Sequence, residues 1–157
     1  MLNQNPTNED NGISVPQLND QSSGVKKCFS PDPSATILKA TQSIGPEQLE
    51  ESARLYAASF RGPPWFENWT ETQATQEIRA QLSAGAWMIL ATDGNQAILG
   101  LALTIPLRMS PRANDFSGLP LSSECWYFSD FCVAAEAQNL GLGKRLLQAA
   151  VDLILLE

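Results

Sequence analysis

The segment that most narrows the fold of this 157-residue chain is a β-prone run that breaks into a short loop, after which two glycines open an apolar helix. It reads Val133-Ala134-Ala135-Glu136-Ala137-Gln138-Asn139-Leu140-Gly141-Leu142-Gly143-Lys144-Arg145-Leu146-Leu147. The first turn of a helix carries N–H groups with no partner inside the helix, and a partial positive charge. Glycine lets an anion approach that backbone closely. The segment is an anion cradle by construction, with a pyrophosphate as its natural guest. Two other phosphate loops fail on residue identity. A Walker A loop requires Gly where Gln138 stands and Ser or Thr where Arg145 stands. A dinucleotide fingerprint requires Gly at Leu146, and its acidic ribose ligand about 20 residues on would fall past Glu157.

Composition removes other chemistries. The chain has no histidine, which excludes Ser-His-Asp and Cys-His catalysis, HExxH metalloproteases and every His-ligated metal site. Cys28, Cys125 and Cys132 are odd in number and form no CxxC pair, so neither a disulfide framework nor a zinc site is expected, and a reducing cytoplasm suits them. A net charge of −7 argues against nucleic acid and against an anionic membrane surface as partners, and it is compatible with an amine substrate. The first ten residues have neither a basic nor an apolar stretch, so no secretory signal is expected, and no apolar run reaches membrane-spanning length. Hydrophobic residues at 43% suffice for one packed core.

Residues 1–33 are rich in Asn, Gln, Ser, Asp and Pro without an apolar period, and are expected to form a disordered tail ahead of a single domain over 34–157. A first strand is expected over Ala35–Thr41. Pro46 and Glu47 signal a helix start, Leu49, Ala53, Tyr56, Ala57 and Phe60 recur at helical spacing, and Gly62-Pro63-Pro64 ends the helix. Thr70 to Gln73 resembles a capping box, opening a second helix through Ala74, Ile78 and Leu82, with Gly85 as its end. Trp87–Thr92 and Ala97–Ile105 read as two strands of a hairpin turning at Asp93-Gly94-Asn95, with Pro106 as the stop. A polar loop covers 107–123, a strand covers Cys125–Val133, Ala134–Leu140 is a loop, and a helix starts near Gly141. The order is β-α-α-β-β-β-loop-α.

Gln138-x-x-Gly141-x-Gly143 after Val133 resembles the Gln/Arg-x-x-Gly-x-Gly/Ala signature of the GCN5-related N-acetyltransferase (GNAT) superfamily. Ala135-Glu136-Ala137 is similar to that family's Pro-Glu-aromatic approach, with Ala in place of Pro, and Pro64-Trp65 with Glu67 and Trp69 resembles a Pro-Trp-x-Glu stretch of some branches. The element order agrees. The resemblance covers residues 34–157 and implies an α/β (α+β) fold, a mixed, mostly antiparallel sheet flanked by helices. It implies transfer of an acetyl group from acetyl-CoA to an amine of a small molecule or peptide by direct attack, with no metal. Backbone amides of Gln138, Asn139, Leu140, Gly141, Leu142, Gly143 and Lys144 would hold the CoA pyrophosphate. The main chain of Phe131, Cys132 and Val133 would pair with the pantetheine arm, an N–H near Val133 polarising the thioester carbonyl. Trp65 and Glu67 would lie near the acceptor.

In the histone acetyltransferase branch the base is a Glu six residues before the motif valine; Tyr127 stands there in this chain. Asp130 is the substitute candidate, ahead of Glu124 and Glu136, and Cys132 is not expected to carry an acyl group. The resemblance also implies a further strand, a fourth helix and two more strands beyond the third helix, whereas the sequence ends at Glu157. It therefore reads as a truncated domain, either a piece of a longer chain or one completed by a second copy in a homodimer. The alternative function is a truncated, non-catalytic CoA-binding or interaction module.

Overall fold

The structure, a computed structural model, describes residues 37–156 except residue 123. The expected tail over 1–33, Cys28 and the start of the first strand at Ala35 lie outside the described residues. Strand β1 (Ile37–Thr41) leads into helices α1 (Pro46–Arg61) and α2 (Glu71–Ser83). Strands β2 (Trp87–Thr92), β3 (Ile98–Pro106) and β4 (Trp126–Val133) follow, and helix α3 (Leu142–Ile154) comes last.

Helix boundaries follow local chemistry. Pro46 occupies the first turn of α1 after Gly45, where the missing N–H costs no hydrogen bond. At α2 the capping box forms: Gln73 N–H donates to Thr70 Oγ1 at 3.2 Å, and Thr70 N–H donates to Gln73 Oε1 at 3.0 Å. The last residue of α2 is Ser83, and left-handed Gly85 (φ +95°) follows two residues on. The β2–β3 hairpin forms, but the left-handed residue of its loop is Gln96 rather than Gly94. Asp93 explains this, because its Oδ1 accepts from the N–H groups of Asn95 and Ala97 at 2.8 and 2.9 Å and so folds a longer turn than Asp-Gly alone would make. Within 107–122 the polar stretch contains two 3-10 turns, Leu107–Met109 and Ala113–Phe116.

The sheet runs β1-β2-β3-β4 with every neighbouring pair antiparallel. Helices cover both faces, so the central strands read as unbroken apolar runs and β3 is buried throughout. Met88, Leu90, Leu101, Leu103 and Cys132 pack with Leu49, Ala53, Tyr56 and Ala57 of α1 and with Ala74 and Ile78 of α2. Ile89, Ala91, Leu99 and Ala102 point the other way, onto Leu142, Leu146 and Ala150 of α3. Burying a side chain such as Ile78 or Leu146, both 0% exposed, stabilises the fold by about 1.5–3 kcal/mol.

Two features of this packing place the site. β4 is the last strand in the sheet order, so among the described residues its outer edge has no partner strand. Its register with β3 shifts between Leu103, opposite Asp130, and Thr104, opposite Phe128, so Ser129 is the extra residue of a bulge.

Candidate functional site

Two sub-sites lie on β4. The first is where β4 runs into α3. Ala135–Ala137 make one 3-10 turn, Asn139 adopts φ +62° and Gly141 φ +79°, and α3 begins. Gly141 is the N-cap in the left-handed region, where a Cβ would be strained, and it offers no capping side chain. The successive amides from Asn139 to Lys144 have no hydrogen-bond acceptor among the described residues; the next, Arg145 N–H, donates to Gly141 C=O at 3.2 Å. A left-handed residue followed by helical ones turns neighbouring N–H groups to one side, a concavity suited to an anion.

Gly143 tests whether the residues present fit a phosphate. Its φ is not left-handed, and a Cβ built on it would meet only Val133 Cγ2 at 3.9 Å. Neither backbone conformation nor packing demands glycine there, although glycine inside a helix costs roughly 0.5–1 kcal/mol relative to alanine. The space over the adjoining amides is open, so the residues present leave room for a phosphate there.

The free edge of β4 continues from this loop. Ala134 N–H donates to Leu99 C=O at 2.9 Å. Alternation along an antiparallel strand then turns Cys132 toward β3, and the main-chain groups of Phe131 and Val133 toward the open edge. Consistently, Val133 C=O accepts from Gln138 Nε2 at 3.1 Å. Phe131, Val133 and the loop from Gln138 to Lys144 therefore form one continuous backbone surface, whereas the Cys132 peptide faces inward.

The second sub-site lies on the α1–α2 side. Asp130 Oδ1 accepts from Tyr56 Oη at 2.9 Å, and Asp130 Oδ2 accepts from Gln81 Nε2 at 2.6 Å. Gln81 also donates to Glu77 Oε1 at 2.9 Å and accepts from Ser129 Oγ. The bulge at Ser129 sets this arrangement, because it puts Ser129 and Asp130 against the same helix pair. Around the network is a pocket of about 320 Å3, whose walls include Tyr56, Trp69, Glu77, Gln81, Tyr127 and Asp130. Larger hollows lie elsewhere, one containing Glu124 beside Trp126 and one beside Pro46, and neither includes Asp130 or the glycine loop. Size is the weaker guide here: the hollow with Glu124 meets β4 only at its first residue, Trp126, whereas the smaller pocket contains a carboxylate borne by β4 itself, Asp130, next to the bulge.

Electrostatics assigns roles. Burial, then the charge of Asp130, pushes the Tyr56 hydroxyl far above its ordinary range, so it stays a proton donor to Asp130. Burial pushes the Cys132 thiol up to about 12, against a hydrogen bond from Ser59 that lowers it. A thiol that stays protonated at neutral pH is a poor nucleophile. The remaining candidates are more peripheral. Glu136 is exposed on the loop. Trp65 is 59% exposed and stacks on Phe60 at 5.9 Å, outside the pocket walls, whereas Glu67 accepts from Trp69 Nε1 and so steadies a wall residue. Among the described residues no group of three metal-ligating side chains converges, and no helix is long and apolar enough to cross a membrane.

Sequence reasoning missed Tyr56, Glu77 and Gln81. Tyr56 reads as one more apolar position of α1. Gln81 carried a signal: it lies three residues after Ile78 and seven after Ala74, a polar side chain on the buried stripe of α2.

A family model, the acetyltransferase (GNAT) family, matches residues 50–155. Solved structures share the fold. A GNAT-family protein from Desulfovibrio desulfuricans superposes with a TM-score of 0.54 at 19% identity, covering 78% of this chain and 67% of its own. A GCN5-related N-acetyltransferase from Kribbella flavida gives 0.52 at 19%, with the same coverage. A GNAT-family acetyltransferase from Staphylococcus aureus gives 0.52 at 16%, covering 75% and 66%. The chain thus spans about two thirds of the length of these structures. A search of curated proteins gives no match. With a family model over more than half of the chain and the fold in agreement, this chain belongs to the GNAT family of acetyltransferases.

Proposed function

We propose that the chain moves an acetyl group from acetyl-CoA to an amine by direct attack, in the reducing cytoplasm that its free Cys125 and Cys132 suit. The observation that carries this reading is the continuity of the acceptor-less amides at the start of α3 with the free edge of β4 and, on the same strand, the Asp130 pocket. Acetyl-CoA supplies the thioester. The amides from Asn139 to Lys144 hold its pyrophosphate, the helix N-terminus adding partial positive charge, whereas the Gln138 N–H is already given to Ala135 C=O at 3.4 Å. The outward main chain of Phe131 and Val133 pairs with the pantetheine arm, and one of these N–H groups polarises the thioester carbonyl. Because Gln138 already donates to Val133 C=O, the free partner at Val133 is its N–H.

Asp130 is the base. Each of its oxygens accepts one hydrogen bond, from Tyr56 or Gln81, and keeps lone pairs for the proton of the attacking amine. Tyr56 and Gln81 are positioning residues that fix the carboxylate orientation. Titrating the protein with CoA, then assaying thiol release from acetyl-CoA with an amine panel, tests both halves. Absence of CoA binding refutes the assignment. CoA binding without thiol release from any amine favours a non-catalytic CoA-binding module.

A further inference from the structure

The walls of the Asp130 pocket go beyond what a generic amine requires. Gln81, itself only 7% exposed, gives one N–H to Asp130 Oδ2 and the other to Glu77 Oε1, so a single amide nitrogen gathers two carboxylates into one pocket. Among the described residues neither carboxylate has a cationic partner. Arg112, the cation at the pocket, is turned to Asp115, its Nε 2.7 Å from Asp115 Oδ2. Tyr56 and Trp69 meet edge to face at 5.1 Å, and Tyr127 lies among the pocket walls, held by Phe116 at 5.7 Å. Two unpaired carboxylates amid aromatic rings suit positive charge, through ion pairing and through the negative faces of the rings. They repel a carboxylate. A volume of about 320 Å3 takes a small molecule.

We propose that the acceptor is a small diamine, its reacting nitrogen at Asp130 and its second nitrogen held as an ammonium by Glu77 between the pocket's aromatic side chains. This rests on the acetyl-transfer reading above. The uncharged nitrogen forms the new C–N bond to the acetyl carbon, the C–S bond breaks with its electron pair going to sulfur, and Asp130 receives the proton that finally resides on the thiol. Glu77 takes no part in bond making. It selects the acceptor by its far end.

Three probes of four carbons each isolate that far end: 1,4-diaminobutane, n-butylamine and 4-aminobutanoate. Each is titrated calorimetrically into the full chain, with and without saturating CoA, and into Glu77→Gln, which keeps an oxygen for the Gln81 N–H. The diamine binds at least tenfold more tightly than 4-aminobutanoate, with n-butylamine between them. In Glu77→Gln the advantage of the diamine over n-butylamine disappears, the diamine losing more affinity than n-butylamine does. The proposal is overturned if 4-aminobutanoate or n-butylamine matches the diamine, if the diamine does not bind, or if folded Glu77→Gln keeps the preference. The CoA titration separates the two readings: bound CoA with any of these outcomes removes the diamine alone, and absent CoA binding removes the transferase reading too.

Discussion

Gly143→Asp separates a phosphate cradle from a mere helix cap. The built Cβ meets only Val133 Cγ2 at 3.9 Å, and the residue is not left-handed, so the fold accepts a side chain there without strain. The site is in the first turn of α3, where an acidic group is favoured by about 0.3–1 kcal/mol, and replacing glycine removes a further few tenths of a kcal/mol of helix penalty. Fold stability should hold or rise by up to about 1 kcal/mol, a gain of roughly 2–4 °C in Tm. Ligand binding responds with the opposite sign. A carboxylate about 4 Å from a phosphate oxygen is opposed by roughly 1 kcal/mol at the dielectric of water and about 4 kcal/mol near a protein surface. A half-exposed site falls between these limits, so CoA affinity drops at least about tenfold, or roughly 1.4 kcal/mol. Gly143→Ala is the control. It adds bulk without charge, gains helix propensity and loses far less CoA affinity. CoA titration paired with thermal melting reads both quantities. A folded Gly143→Asp protein that binds CoA as the wild type does would show the loop to be only a cap, and the cradle assignment would fall.

Asp130→Asn leaves an oxygen for Tyr56 but removes the base; thiol release should fall by roughly 10²–10⁴-fold while CoA affinity stays unchanged, and equal turnover would move the base elsewhere. Gly141→Ala forces an L side chain into φ +79° and should cost about 1–2 kcal/mol in urea unfolding, against little effect if the loop relaxes freely. Leu146→Ala, emptying a fully buried site under β3, should cost about 2–5 kcal/mol in the same assay; a loss under 1 kcal/mol would contradict the packing. The Cys132 thiol, ordinarily near 9.0 and pushed up to about 12, keeps its proton in the fold when the unfolded chain has lost it. Its contribution to stability is therefore complete below pH 9 and falls as pH rises toward 12, by roughly 1.4 kcal/mol per pH unit. Tyr56 adds to the same alkaline loss. Cys132→Ala should flatten the fall in unfolding free energy between pH 9 and 11, and an unchanged slope would refute the assignment.

The sequence by itself determined the element order, the capping of α2 and the α3 start, because each rests on contacts within a few residues. Thr70 and Gln73 satisfy one another across a single turn, and Gly141 supplies a local backbone conformation that other residues resist. The glycine loop was legible for the same reason, since its cradle is made of consecutive amides. The hairpin loop was only half legible: Asp-Gly announced a turn, but its length was decided by the Asp93 side chain reaching the amides of Asn95 and Ala97. Tertiary structure alone assembled the second sub-site. Tyr56 and Asp130 stand 74 positions apart, Gln81 and Asp130 49 apart, and a one-residue bulge at Ser129 settles which side chains face the helices. A bulge depends on how two strands register against each other, and a polar residue on a buried helix face looks like an error until its partner on the neighbouring strand is known. Chain-local chemistry thus marks the loop that we propose holds the donor's phosphates, and the packing of α1 and α2 on the β3–β4 edge assembles the network around the proposed base, because hydrogen bonds between distant residues exist only once the core has brought them together.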